Sequence, residues 1–250
     1  MTSHDSTAPA PAVPVRARGL CKTIDDRPIL KSLDLEFGHG RFVTLLGANG
    51  AGKSTLLKLL STLTTPTGGQ LEMFGLAMHS GGGAVAAKVR AQIGLIGHQT
   101  MLYHDLSACE NLEFFGTLYG LKQARQRALE LLDVMGLSAR ANDPVKAFSR
   151  GMQQRVAIAR ALMHNPELLL ADEPFAGLDA PSAAMLEKVL RDLHRAGKTI
   201  VLANHDIGQS LRLADRAVVL RGGRKVIDAA TSELSEPQVL AEMSGGGKST

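Results

Sequence analysis

The segment Gly47-Ala48-Asn49-Gly50-Ala51-Gly52-Lys53-Ser54 decides the fold of this 250-residue chain. It consists of a glycine, four further residues and then Gly-Lys-Ser, which is the pattern of a phosphate-binding P-loop. The preceding run 41–46 is apolar and predicts a strand buried on both faces, and the following run 53–61 predicts a helix. Further apolar runs at 93–96, 168–171, 200–203 and 218–220 alternate with helical patterns, which predicts a parallel α/β core.

The residue types of this loop suit a phosphate group. Glycines allow successive backbone amides to converge on an anion without side-chain clashes, and the helix that follows directs its N-terminal amides at the same point. Lys53 adds a cation for the β- and γ-phosphates, and the hydroxyl of Ser54 is a ligand for Mg²⁺. The loop therefore predicts a site for a nucleoside triphosphate and Mg²⁺.

A second candidate site lies at the end of another apolar run. Residues 168–171 predict a buried strand that delivers two consecutive carboxylates, Asp172 and Glu173. Behind a P-loop, Asp172 is suited to hold Mg²⁺ directly or through water, and Glu173 is suited to polarise the attacking water. These two sites alone leave a kinase, a GTPase and a RecA-like motor open.

The segment 148–155, Phe-Ser-Arg-Gly-Met-Gln-Gln-Arg, separates these alternatives. It resembles the signature Leu-Ser-Gly-Gly-Gln-Gln-X-Arg of the ABC ATPase family. The matching positions are Ser149, Gly151, Gln153 and Arg155, and the departures are Phe148, Arg150 and Met152, a variant that export-type members also show. In the family this helix N-terminus binds the γ-phosphate of ATP held by a second subunit. A plain N-capped helix would use Ser149 equally well.

The resemblance covers about residues 15–230 and implies the fold. We expect an α/β, RecA-like P-loop NTPase with a mainly parallel sheet core, an N-terminal antiparallel β part and an inserted α-helical subdomain. Helical patterns at 107–119, 122–135 and 151–164 place that subdomain at 99–165, between core segments 16–98 and 166–232. Residues 1–15 are expected to be a disordered tail, and residues 233–250 a short C-terminal tail.

The resemblance also implies roles for single residues. Gln99 occupies the place of the Q-loop glutamine, which contacts Mg²⁺ and the attacking water, and His205 that of the switch histidine at the γ-phosphate. Asp179 matches the D-loop, which bridges the two nucleotide sites, although it is also placed to cap a helix. The expected catalytic residues are Glu173, His205 and Gln99, and the expected metal ligands are Ser54, Gln99 and Asp172. The expected nucleotide-binding residues are Gly47, Ala48, Asn49, Gly50, Ala51, Gly52, Lys53, Ser54, Thr55, Ser149, Gly151 and Asp179.

The charge and hydropathy of the chain limit the classes of partner that we expect. The net charge of +4 is spread along the chain rather than clustered, so nucleic acid is not expected as a partner. No apolar window is long enough for a membrane span, and the N-terminus does not have the pattern of a signal peptide. The family works as a head-to-tail dimer beneath membrane-embedded permease subunits. We therefore expect a second ATPase copy and ABC permease subunits as partners, at the cytoplasmic face of the inner membrane.

The resemblance extends to one transport class. Segments 97–99, 106–112 and 148–155 are similar to the ATPase of the haem exporter used in bacterial cytochrome c maturation. Export-type ATPases for drugs or lipids share much of this pattern and stay open. Soluble ABC ATPases of ribosomes or DNA are disfavoured, because the chain has one P-loop and only 50 residues between Gln99 and Ser149 (149 − 99). A non-catalytic regulator is disfavoured because both Asp172 and Glu173 are present.

The position that stacks on adenine in many family members lacks an aromatic ring here. The equivalent residue is Ile24, which offers apolar contact without a π-face. We predict that the protein discriminates weakly between bases and hydrolyses GTP at a rate within about tenfold of that for ATP. Turnover assays with both nucleotides measure this ratio, and strong rejection of GTP would contradict the prediction.

Overall fold

The computed structural model of the protein describes residues 13–78, 83–97 and 99–245. The strands in chain order are β1 (Val15–Ile24), β2 (Arg27–Phe37), β3 (Phe42–Leu46), β4 (Gly68–Met73), β5 (Leu76–Ala77), β6 (Ile93–Ile96), β7 (Leu168–Asp172), β8 (Thr199–Ala203), β9 (Arg216–Arg221) and β10 (Arg224–Ala230). The helices are α1 (Lys53–Leu60), α2 (Gly83–Arg90), α3 (Ala108–Leu118), α4 (Ala124–Val134), α5 (Arg150–Leu162), α6 (Ala180–Arg195), α7 (Ile207–Leu213) and α8 (Glu236–Ser244).

A six-stranded sheet forms the centre, in the order β10-β9-β3-β8-β7-β6. All its neighbouring strands are parallel except the pair β9–β10. The strand before the P-loop is central: Leu45 of β3 pairs with Ala203 on one side and Val218 on the other. Every residue of β3 and β8 is buried, as expected for parallel strands covered on both faces. The predicted parallel core is confirmed.

A second, antiparallel sheet of four strands has the order β2-β1-β4-β5. Its buried residues, including Leu20, Phe37 and Met73, pack with Leu56 and Leu60 of α1 against one face of the parallel sheet. This is the expected N-terminal antiparallel part. It packs against the P-loop helix α1.

The expected helical insertion, residues 99–165, contains α3, α4 and α5. Ser107 caps α3 through the predicted capping box: the Glu110 amide donates to the Ser107 hydroxyl at 3.2 Å, and the Ser107 amide donates to the Glu110 carboxylate at 2.8 Å. The fully buried Asn111 amide donates to the carbonyl oxygens of Tyr103 and Ser107, both at 2.9 Å. These bonds fix the start of α3 to the chain that leads in from Gln99.

The two chain ends differ from the sequence expectation. Residues 1–12 of the expected tail 1–15 lie outside the described residues, but Val15 is fully buried and begins β1, so the strand starts inside that tail. The expected tail 233–250 contains α8, whose buried Val239 packs with Leu46 and Ile207. Residues 246–250 lie outside the described part. The boundaries at 98/99 and 165/166 stay predictions.

No helix within the described ranges is long and apolar enough to cross a membrane.

Candidate nucleotide-binding and hydrolysis site

The P-loop joins the end of β3 to the start of α1 and has a conformation that depends on glycine. Gly47, Gly50 and Gly52 have φ angles of 151°, 80° and 109°, in the region that L side chains rarely adopt. A Cβ on Gly52 would also lie 2.6 Å from Leu30 Cδ2, and one on Gly47 would overlap the carbonyl oxygen of Leu220. Three of the predicted loop residues therefore have a structural requirement for glycine, and the loop can turn its amides toward a ligand.

Lys53 begins α1 and is the cation of this loop. Its side chain is buried, and its ammonium donates to the carbonyl oxygens of Gly47 at 2.6 Å and Ala48 at 3.3 Å. Burial lowers the pKa of Lys53, while the carboxylates of Glu173 and Asp172 act in the opposite direction. The two sites found in the sequence are thus close enough in the fold to interact electrostatically.

The acidic pair lies where β7 ends. Asp172 is the last residue of the strand, and its register partner is Ala203, the last residue of β8. Glu173 has a φ of 50°, which is left-handed, and its amide donates to the Ala203 carbonyl at 2.9 Å. A non-glycine residue in this conformation carries backbone strain, which is found most often at functional sites. The bond to Ala203 holds Glu173 at the edge of the sheet beside the next loop.

That next loop carries His205, whose Nδ1 lies 4.0 Å from a carboxylate oxygen of Glu173. Asn204, a buried residue to which we assigned no role from the sequence, fixes the loop. Its side-chain oxygen accepts from the His205 amide, and its side-chain nitrogen donates to Gln209, both at 2.9 Å. Gln209 in turn donates to Glu187 of α6 at 2.8 Å. In the sequence, the only indication of this role was that the polar residue Asn204 directly follows the apolar run 200–203.

The expected metal ligands share one cavity. A space of about 480 Å³ is lined by Ser54, Gln99 and Asp172, together with apolar residues that include Leu57 and Met101. A hydroxyl, an amide and a carboxylate are hard oxygen donors, which fit Mg²⁺. Within the described ranges, no group of three or more His, Cys, Asp or Glu residues could hold a metal by itself.

The signature and D-loop residues lie elsewhere on the subunit. Ser149 is the N-cap of α5 and accepts from the Met152 amide at 3.3 Å, while Asp179 is the N-cap of α6 and accepts from the Ser182 amide at 3.0 Å. Both alternative capping roles are therefore present, and the bond from Ser182 lowers the pKa of Asp179. Of the described residues that line the Ser54–Asp172 cavity, none belongs to the signature or the D-loop, and neither Glu173 nor His205 is among them.

The comparison with family models decides the family. The ABC transporter model matches residues 30–176, from β2 through the P-loop, the signature and the acidic pair. The chain belongs to the ABC transporter family. It is a P-loop ATPase, the ATP-hydrolysing cassette of an ABC transporter.

Relatives of this cassette include both exporters and importers. The chain is 37% identical to "Nod factor export ATP-binding protein I" of Cupriavidus pinatubonensis, over 92% of this chain and 71% of that protein. It is 40% identical to "Phosphonates import ATP-binding protein PhnC" of Trichormus variabilis, over 86% of this chain and 91% of that protein. A solved structure of the dimeric ATP-binding cassette MJ0796 with ADP and phosphate shares 32% identity at a TM-score of 0.79, covering 87% of this chain and 98% of that one. Cassettes of this family pair with permease subunits and dimerise.

Ile24 occupies the position at which many family members have an aromatic residue that stacks on adenine. Ile24 is the last residue of β1 and is 43% exposed. It is followed by a tight turn in which Asp25 and Asp26 have φ angles of 46° and 59°. The effect of Ile24 on base selectivity stays a prediction.

Asn204→Ala is expected to lower ATP turnover by about 10- to 100-fold, because the loop that carries His205 loses the bonds that position it. ATP affinity should change little, since Asn204 does not line the Ser54–Asp172 cavity. Steady-state phosphate release and equilibrium ATP binding measure the two effects. Asn142→Ala, at an exposed position of the helical segment, is the matched control. Equal turnover in both variants would contradict a positioning role for Asn204.

Proposed function

We propose that this cassette is the ATPase subunit of an exporter, and that it hydrolyses ATP only as one half of a dimer. The observation that carries the proposal is the division of the site. The P-loop, the acidic pair and His205 follow the neighbouring strands β3, β7 and β8 at one edge of the sheet, while Ser149 and Asp179 cap the separate helices α5 and α6. A second copy, turned head to tail, would bring its signature to the ATP held here. The dimeric state of the solved relative supports this arrangement.

The residues at the sheet edge suit attack of water on the γ-phosphorus. Glu173 would accept a proton as the water oxygen forms its bond to phosphorus, and the bond from phosphorus to the bridging oxygen of ADP breaks. Lys53 and the N-terminal amides of α1 would stabilise the charge on the phosphate oxygens. His205, 4.0 Å from Glu173, would contact the γ-phosphate beside the water.

Mg²⁺ has a chemically suitable site in this proposal. Ser54 and Asp172 would hold the ion, and Gln99 would contact it from the same cavity. When bound, Mg²⁺ neutralises negative charge on the β- and γ-phosphates. These three residues would fix the position of the ion. Gln99 lies at the start of the segment that leads into the helical insertion, so its contact would join the ion to that segment.

An aromatic surface near Gln99 is the proposed contact with the membrane subunits. Tyr103, Phe114 and Phe115 form a cluster in which the Tyr103 and Phe114 ring centroids are 5.2 Å apart, edge to face. Tyr103 is 52% and Phe114 39% exposed, and Leu118, one turn further along α3 from Phe114, is 67% exposed. An exposed apolar cluster of this kind marks an interaction surface. We infer that a cytoplasmic helix of the permease covers it, which places the cassette at the cytoplasmic face of the inner membrane.

The proposed cargo is haem, exported for cytochrome c maturation. The support is the similarity of segments 97–99, 106–112 and 148–155 to that class of ATPase, together with the absence of an aromatic ring at Ile24. The names of the relatives above cover export and import, so they do not support one cargo. Export of drugs or lipids is the alternative. A soluble role without a permease is disfavoured by the exposed aromatic surface.

Glu173→Gln is expected to convert the monomer into a stable dimer when ATP is added without Mg²⁺. The substitution removes the base and leaves the phosphate-binding loop unchanged, so ATP stays trapped between two copies. Size-exclusion chromatography with light scattering measures the mass. Adding Ser149→Arg should abolish the dimer, because the larger side chain fills the space that the γ-phosphate must enter. Ser235→Arg, at the N-cap of α8, controls for loss of a helix cap.

The two possible failures of this dimer experiment are distinct. A protein that does not bind ATP would contradict the assignment of the P-loop. A protein that binds ATP and stays monomeric, or dimerises equally well with Ser149→Arg, would contradict the head-to-tail site.

Deletion of the gene in its host is expected to remove most of the c-type cytochromes, as measured by haem staining of membrane proteins. Complementation with the natural gene should restore them, and complementation with the Glu173→Gln variant should not. Normal cytochrome levels in the deletion strain would reject haem as the cargo and favour the drug or lipid alternative.

A further inference from the structure

Arg160, a cation of α5 that the proposed hydrolysis does not use, lies between two other elements. Its Nη2 donates to the carbonyl oxygen of Leu95 in β6 at 2.8 Å. On the α3 side, its guanidinium carbon lies 5.2 Å from the ring centroid of Phe115, within the range of a cation–π contact. One side chain thus contacts β6 and α3 while it belongs to α5.

The surroundings of Arg160 differ from those of a structural ion pair. Among the described residues, no carboxylate is a cause of the pKa shift of its guanidinium, and its Nε is buried without a hydrogen-bond partner. Burial lowers the pKa of its guanidinium. A partly buried cation that is held by one carbonyl and one ring is sensitive to small displacements, because each contact depends on distance and orientation.

Each of the three elements also carries a different functional region: β6 precedes Gln99, α3 carries the aromatic surface and α5 carries the signature. Leu95 precedes Gln99 by four residues (99 − 95), so β6 delivers the glutamine to the Ser54–Asp172 cavity. Phe115 contacts the Phe114 and Tyr103 rings at centroid distances of 5.4 Å and 6.3 Å, on the exposed aromatic surface. Helix α5 begins at Arg150, and its N-cap is Ser149 of the signature segment.

The packing of α5 on β6 does not need Arg160. At Gly94 the helix and its exit approach the strand closely: a Cβ there would lie 2.5 Å from the Ala161 carbonyl oxygen and 2.9 Å from Pro166 Cγ. This close contact packs α5 against β6 without Arg160. The guanidinium adds a polar link from α5 and β6 to α3, alongside His164, which contacts the Ile93 carbonyl at 3.0 Å and stacks on Tyr119.

We propose that Arg160 is a positioning residue that transmits the nucleotide state from β6 and Gln99 to the aromatic surface of α3. The inference rests on the proposed function, since it assumes that ATP occupies the cavity beside Gln99. Binding of ATP would shift the Q-loop end of β6, and the guanidinium would carry that shift to Phe115. In the reverse direction, a partner on the aromatic surface would act on the Q-loop, because such coupling is reciprocal.

A single tryptophan can report on this surface, because the chain contains none. The parent for the test is Glu173→Gln with Tyr103→Trp, since Tyr103 is 52% exposed and belongs to the aromatic cluster. Addition of ATP is expected to change its tryptophan emission. ATP affinity is measured separately by titration calorimetry, and dimer formation by light scattering.

Arg160→Met in this parent keeps an unbranched apolar chain and removes the charge and the donors. We expect ATP to bind with the same affinity and the dimer to form, while the ATP-induced change in emission falls about fivefold or more. Arg125→Met is the matched control, because Arg125 belongs to α4 and contacts α3 through an ion pair with Glu113. It should keep the full change in emission.

Two further variants keep the proposal testable should Arg160→Met not fold. Phe115→Leu removes the ring and keeps apolar volume, and Arg160→Lys keeps a cation without the planar group. Both should reduce the change in emission and preserve ATP binding. A full ATP-induced change in the folded variants would overturn the proposal, as would a parent that binds ATP without any change. A parent that does not bind ATP would instead contradict the proposed function.

Discussion

Parallel pairing of β3, β8 and β7 is the constraint on which the site depends. Leu45 and Asp172 both pair with Ala203, so the three strands end at one level of the sheet. Whatever follows each strand is therefore delivered to the same edge: the P-loop, Glu173 and His205 come together although they are far apart in the chain. A shift of one residue in this register would reverse the faces of a strand's side chains and separate the carboxylates from Lys53.

The sequence predicted those features that depend on local patterns. The P-loop, the five apolar strands and the capping box at Ser107 are each contained within a few neighbouring residues, and their types limit the backbone to one conformation. The start of helix α6 was predicted through its cap Asp179, but its extent was not, although apolar residues recur at helical spacing within it. Helix α8 has one buried residue, Val239, and such a helix leaves no periodic pattern to detect.

The roles of Asn204 and Arg160 could not be predicted from the sequence, because they depend on contacts with other elements of the fold. Arg160 contacts Leu95 across 65 positions of the chain, and the position of Asn204 depends on Gln209 and, through it, on α6. No local pattern distinguishes an arginine that faces a carbonyl and a ring from one that faces solvent. The residues that touch phosphate can be found from motifs, but the residues that hold them in place become visible only when the helices are packed on the sheet.

Glu173 keeps a left-handed backbone that glycine or asparagine would adopt at lower energy, by about 1 kcal/mol or more. At this position, selection for thermal resistance alone would therefore favour replacement of the proposed base, and such a variant would be inactive. Any directed-evolution effort on this protein has to screen for turnover in every round. The same strain offers a way to make stable, hydrolysis-deficient cassettes for structural work.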